Sequence, residues 1–120
     1  MKKIAILRCL KTSAACAATG CFRAFNEKDN AFKIYEGEDV QLASVWTCNG
    51  CGNDMLENQA GIQTKIERMV KNNISVVHLS SCTKKKNEAG KKLLCPNIED
   101  IARKLQALGI MVVEGTHGKQ

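Results

Sequence analysis

Val40-Gln41-Leu42-Ala43-Ser44-Val45-Trp46-Thr47-Cys48-Asn49-Gly50-Cys51 joins an uncharged, largely apolar run to two thiols three positions apart. The run carries β-branched and aromatic residues over a strand's length and reads as a buried strand. Cys48 and Cys51 then sit just past its carboxyl end. Gly50 lets the backbone turn with φ of either sign. Such a pair can close on one metal ion or on each other, and by itself the motif serves both chemistries.

Three further segments repeat the arrangement. Cys9 follows Lys3–Arg8, Cys82 follows Ile74–Leu79, and His117 comes soon after Ile110–Val113, each of them a short apolar run. Helical patterns lie between them. Thr12 or Ser13 caps an expected helix from Ala14 to Phe25, with Ala15, Ala18, Phe22 and Phe25 toward the sheet, and Gly20 marks a weak point within it. This places Cys16 in the helix's first turn, where the positive helix end favours a thiolate, and assigns Cys21 to packing. Ile62, Ile66, Met69 and Val70 make one stripe of a helix over 59–72. Pro96 opens a last helix after Cys95, with Ile98, Ile101, Ala102, Leu105 and Leu108 inward and Gly109 as its stop. Asn26–Asp39 reads as a connection anchored by Phe32, Ile34 and Tyr35, and Thr83–Leu94 as a lysine-rich loop.

Alternating short apolar strands and amphipathic helices belong to parallel sheets covered on both faces. The expected fold is a single α/β domain over 1–120. Its four-stranded, mainly parallel sheet has the order 2-1-3-4, flavodoxin-like, with helices on both faces. Ligands of such sheets bind at the carboxyl edge. Cys9, Cys48, Cys51, Cys82 and His117 all fall there. Adjacent strands lie about 4.8 Å apart and thiolates on one zinc roughly 3.8 Å apart, so neighbouring strand ends can share an ion.

Composition narrows the chemistry. The chain has 120 residues, enough for a real core without cross-links, and yet seven cysteines. Met1-Lys2-Lys3 leads into an apolar run of only Ile4–Leu7 before Arg8, too short for a signal core. No run reaches transmembrane length, so the expectation is a cytoplasmic protein with reduced thiols and no membrane. There many cysteines point to metal or redox chemistry. The formal charge is +6, but ionised thiols at a metal would offset much of it locally. Aromatic residues make up 4% of the chain, too few for a base-stacking surface, which argues against nucleic acid as a partner.

The pattern Ile6-Leu7-Arg8-Cys9 with Thr12 and Cys16, then Cys48-Asn49-Gly50-Cys51, His78-Leu79-Ser80-Ser81-Cys82, Cys95-Pro96 and Thr116-His117 resembles the CGGC-domain family, over nearly the whole chain. Those are small cysteine-rich proteins, mainly of anaerobic bacteria and archaea. Asn49 stands where the family's name has its first glycine. The resemblance implies metal binding, with zinc favoured, and does not supply a reaction.

On these grounds Cys9, Cys48, Cys51 and Cys82 are the expected metal ligands. Cys16, Cys95 and His117 complete the set or surround it. Zinc and an iron–sulfur cluster both suit thiolates, and seven thiols exceed the four a single zinc needs. The alternative is a thiol–disulfide protein with Cys48 as nucleophile and Cys51 as resolving thiol. Against it, Gly52-Asn53-Asp54 separates the motif from its helix, and Pro96, the one proline, does not precede a strand. No Gly-rich phosphate loop supports a flavin or phosphate ligand at this edge. His78, inside a strand, reads as a core histidine with a hydrogen-bond partner, and Trp46 as core.

Overall fold

Alternation along β1 (Lys2–Arg8) divides the core in two. Ala5 and Leu7 face one apolar cluster, Ile4 and Ile6 the other, and all four are fully buried. A strand buried on both faces must be central, and β1 is: it pairs in parallel with β2 (Val40–Thr47) on one side and β3 (Val76–Leu79) on the other. The computed structural model describes residues 2–13, 15–49, 55–86 and 88–116. In it the last strand, β6 (Met111–Glu114), pairs in parallel with β3. The sheet runs β2-β1-β3-β6, which is the expected 2-1-3-4 order with β6 as its fourth strand.

Helix α3 (Met55–Lys71) and helix α4 (Pro96–Ala107) cover one face. They bury Ile62, Ile66 and Met69, and Ile98, Ile101, Ala102 and Leu105, against Leu7, Trp46, Val77 and Leu79. Helix α2 (Thr19–Glu27) and a 3-10 turn over Asn30–Tyr35 cover the other, through Cys21, Ala24, Phe25, Phe32 and Tyr35. A bulge in β2 skips Ala43 between the pairs Ile4↔Leu42 and Ala5↔Ser44. It explains why Leu42 and Val45, three apart, pack on the same face while Trp46 turns to the other. Among the described residues no helix is long and apolar enough to cross a membrane.

Several local expectations are corrected. The helix placed over 14–25 is a short turn, α1 (Leu10–Ser13), followed by α2, with Ala18 at φ +64 as the new N-cap. A single helix would have aimed Ala15 and Phe22 inward, and both are exposed. Ala18 and Phe25 are buried as their spacing suggests, Cys21 joins them, and Gly20 lies inside α2. Thr83–Leu94 is not an unstructured loop. It contains an antiparallel pair, β4 (Lys84–Lys86) and β5 (Lys92–Leu94), with Gly90 at φ +79 in the connection. Leu94 packs on the α3/α4 core and Lys84 Nζ reaches Glu114 at 3.2 Å. Strands of three residues are too short to show periodicity. Val70 and Leu108 are exposed, at the margins of the stripes they were assigned to, and Ile34, expected to anchor the 26–39 connection, is exposed as well.

Candidate metal centre

Parallel pairing brings the strand ends level. Arg8 lies opposite Thr47, Leu7 opposite Leu79, and Leu79 opposite Glu114. The ladder continues one step further: Cys48 N–H donates to Arg8 O at 3.1 Å, Ser80 N–H to Leu7 O at 2.9 Å, and Gly115 N–H to Leu79 O at 2.7 Å. Ser80 and Gly115 therefore stand level with Arg8, and Cys9 and Cys48 lie side by side one step beyond them at the carboxyl edge.

Cys82 stands on a 3-10 turn, Ser81–Thr83, that folds back over this edge. Its Sγ accepts a hydrogen bond from Cys9 N–H at 3.4 Å, joining positions 73 residues apart. The Cys82 thiol in turn donates to Ser80 Oγ at 3.4 Å. Ser80, buried, lies 3.5 Å from the sulfur of Cys21, which also meets Thr116 Oγ1 at 3.2 Å. Sequence reasoning had assigned Cys21 to packing alone and had given Ser80 and Thr116 no role of their own. Their linkage crosses from one side of the sheet edge to the other, and no sequence spacing encodes it.

Cys48 is buried in the α3/α4 core beside Trp46, and its carbonyl accepts from Asn97 Nδ2 at 3.4 Å. Cys95 is the N-cap of α4 and packs against the same core; its N–H donates to Thr83 O at 2.9 Å, tying it to the Cys82 turn. Cys16 does not start a helix. It lies between α1 and α2, half-buried, with Arg8 Nη2 donating to its carbonyl at 2.5 Å. Its thiol is held below the ordinary thiol range, mainly by the Ala18 N–H and also by the Arg8 guanidinium, with burial opposing both. The expected effect is present, produced by the amide of Ala18, the N-cap of α2, and by an arginine. Cys51 and His117 lie outside the described residues.

None of Cys9, Cys16, Cys21, Cys48, Cys82 and Cys95 is in a disulfide. Among the described residues no three Cys, His, Asp or Glu side chains gather closely enough to hold an ion. Cys9 and Cys82 adjoin, and Cys48 is held level with Cys9 on the neighbouring strand.

Lys65, on α3, was missed. Its ammonium donates to Thr47 O at 3.0 Å and to Thr47 Oγ1 at 3.3 Å, and it also bonds Asn49 Oδ1. Burial pushes its pKa down, and the nearby Cys48 charge opposes that shift. His78 is a core residue, as its place in a strand suggests. A carbonyl only accepts, so the 2.8 Å contact with Gly115 O assigns the proton to Nδ1, and Nε2 accepts from the Tyr35 hydroxyl at 2.7 Å. Burial lowers the His78 pKa, the Gly115 bond opposing it.

The family profile for the CGGC domain matches residues 3–117. The chain belongs to the CGGC domain family. It is 32% identical over 130 residues to "Uncharacterized protein MJ0582" of Methanocaldococcus jannaschii, a match covering 96% of this chain and 86% of that protein. No solved structure matches the chain.

The CGGC tetrad reads Cys-Asn-Gly-Cys here. Asn49 has φ +61, the left-handed region that glycine enters freely and that asparagine tolerates best among residues with a side chain. The substitution thus keeps a glycine-like backbone conformation. It also supplies a side-chain oxygen, which Lys65 uses.

Proposed function

We propose that residues 1–120 form one CGGC-type unit that binds a metal ion through thiolates at the carboxyl edge of its sheet, zinc being the favoured ion. Cys9, Cys48, Cys51 and Cys82 would hold it, with Cys16, Cys95 and His117 around them. The observation that carries this reading is the contact of Cys9 with the Cys82 sulfur, made by the fold between residues remote in sequence. The described donors suit the group in kind: Cys9, Cys48 and Cys82 are thiols outside any disulfide, and thiolates bind zinc and iron–sulfur clusters well. A complete set requires Cys51 or His117 besides the described thiols. When bound, a zinc with four thiolate ligands is a closed centre, while three and an open position can activate water. A cytoplasmic setting, which keeps thiols reduced, suits this chemistry.

Purification without oxygen, a visible spectrum and measurement of bound metals test the proposal. One zinc per chain in a colourless protein, lost in Cys9→Ser and Cys82→Ser variants that still fold, is the expected result. A brown protein with iron and sulfide assigns a cluster to the same edge. A metal-free chain that cycles two electrons between Cys48 and Cys51 replaces the metal reading with the redox one.

A further inference from the structure

An ammonium group has three N–H donors and no acceptor. Lys65 has three oxygen partners, namely Thr47 O, Thr47 Oγ1 and Asn49 Oδ1. They belong to the two residues that flank Cys48. All three are neutral, and among the described residues no carboxylate lies within ion-pair distance of Lys65. A half-buried cation is therefore held against the thiol loop with its donors used and, among the described residues, no carboxylate paired with it.

Gly61 precedes Lys65 by four residues, on the same face of α3. A Cβ at Gly61 would come within 2.7 Å of Asn49 Nδ2. The Asn49 amide thus lies against bare helix backbone at Gly61 and against a cation at Lys65. One residue lets the loop approach, and the other holds it. Four thiolates on one divalent zinc leave a formal charge of about −2, which a nearby cation stabilises in a low-dielectric setting.

The geometry points to Lys65 as the positioning residue of the thiolate loop: it holds Thr47 and Asn49 so that Cys48 leaves β2 in one direction, and its charge offsets that of the thiolate centre. The assignment rests on the metal reading above.

The test uses the whole reduced chain as wild type, Lys65→Met and Lys65→Arg. Zinc affinity is measured by competition with a chromophoric chelator, and amide exchange at Cys48 and Asn49 on the metal-free protein. Lys65→Met should bind zinc about 10- to 100-fold more weakly and exchange faster at both amides, with its far-UV spectrum unchanged. Lys65→Arg should recover part of the zinc affinity through its charge. It should recover less of the exchange protection, because a planar guanidinium does not reproduce the three-way bond. If the methionine variant unfolds, Lys65→Gln repeats the comparison. Unchanged zinc affinity in Lys65→Met, or unchanged exchange at Cys48 and Asn49, overturns the assignment. A wild-type chain that takes up no zinc ends the metal reading by itself, and the exchange comparison then decides the role of Lys65.

Discussion

His78 and Tyr35 illustrate how a single buried pair sets a pH window. The histidine is fully buried, donates to Gly115 O, and accepts from the Tyr35 hydroxyl, with its ring centroid 4.4 Å from that of Phe32. Its folded pKa lies below the ordinary 6.5, so as pH falls past that value the unfolded chain takes up the proton first and stability drops. Tyr35 is pushed up to about 12, by burial first and the Glu38 charge second. Above about pH 10 the unfolded chain loses its phenolic proton first, and stability drops again. Urea midpoints measured from pH 5 to 11 should fall at both ends, and His78→Gln should flatten the acid limb. Tyr35→Phe leaves Nε2 buried with no donor and should cost about 1–3 kcal/mol in equilibrium unfolding at neutral pH. The histidine's role was legible in the sequence, because an imidazole within a strand of Val and Leu must find partners. The identity of its partners was not, since Tyr35 lies 43 residues away.

At the level of elements, α3 both covers the sheet and approaches the thiol loop closely. Alanine at an exposed helical position is favoured over glycine by about 1 kcal/mol, so Gly61→Ala would ordinarily stabilise. Here the new methyl group meets the Asn49 amide, the end of a movable side chain. The expected outcome is a split: a melting temperature within a few degrees of wild type, but faster amide exchange at Asn49 and weaker zinc binding. A large loss of global stability would show instead that Asn49 cannot move aside. On the opposite face Phe32 is fully buried, meets Phe25 edge-to-face and lies tilted against the His78 ring, so Phe32→Ala should cost about 3–5 kcal/mol in urea denaturation. The stripes of α3 and α4 were readable from their spacing. The break between α1 and α2 was not, because only docking on the sheet decides that Ala15 and Phe22 are exposed while Ala18 and Phe25 are buried. The β4–β5 pair was missed for a different reason: its short strands carry lysines where a pattern would need alternation.

For the molecule as a whole, a ligand that binds only the folded state stabilises it by mass action, by about 2.7 kcal/mol at a hundredfold excess over Kd. If zinc joins the strand ends of β1 and β2 to the Cys82 turn, the melting temperature should rise with free zinc and fall on chelation, with Cys82→Ser insensitive to both. Equal melting curves with and without zinc would separate the ion from the folded edge. The order of strands and helices along the chain determined the α/β architecture, since continuous apolar strands joined by amphipathic helices have few ways to bury themselves. With it came the level row of strand ends, because parallel register aligns the carboxyl ends whatever residues occupy them. Side-chain meetings across that row were decided only by the tertiary structure: Cys9 with Cys82, Ser80 with Cys21, and Lys65 with the residues either side of Cys48. Each depends on ångström-scale placement of backbones remote in sequence, and local spacing carries no information about such distances.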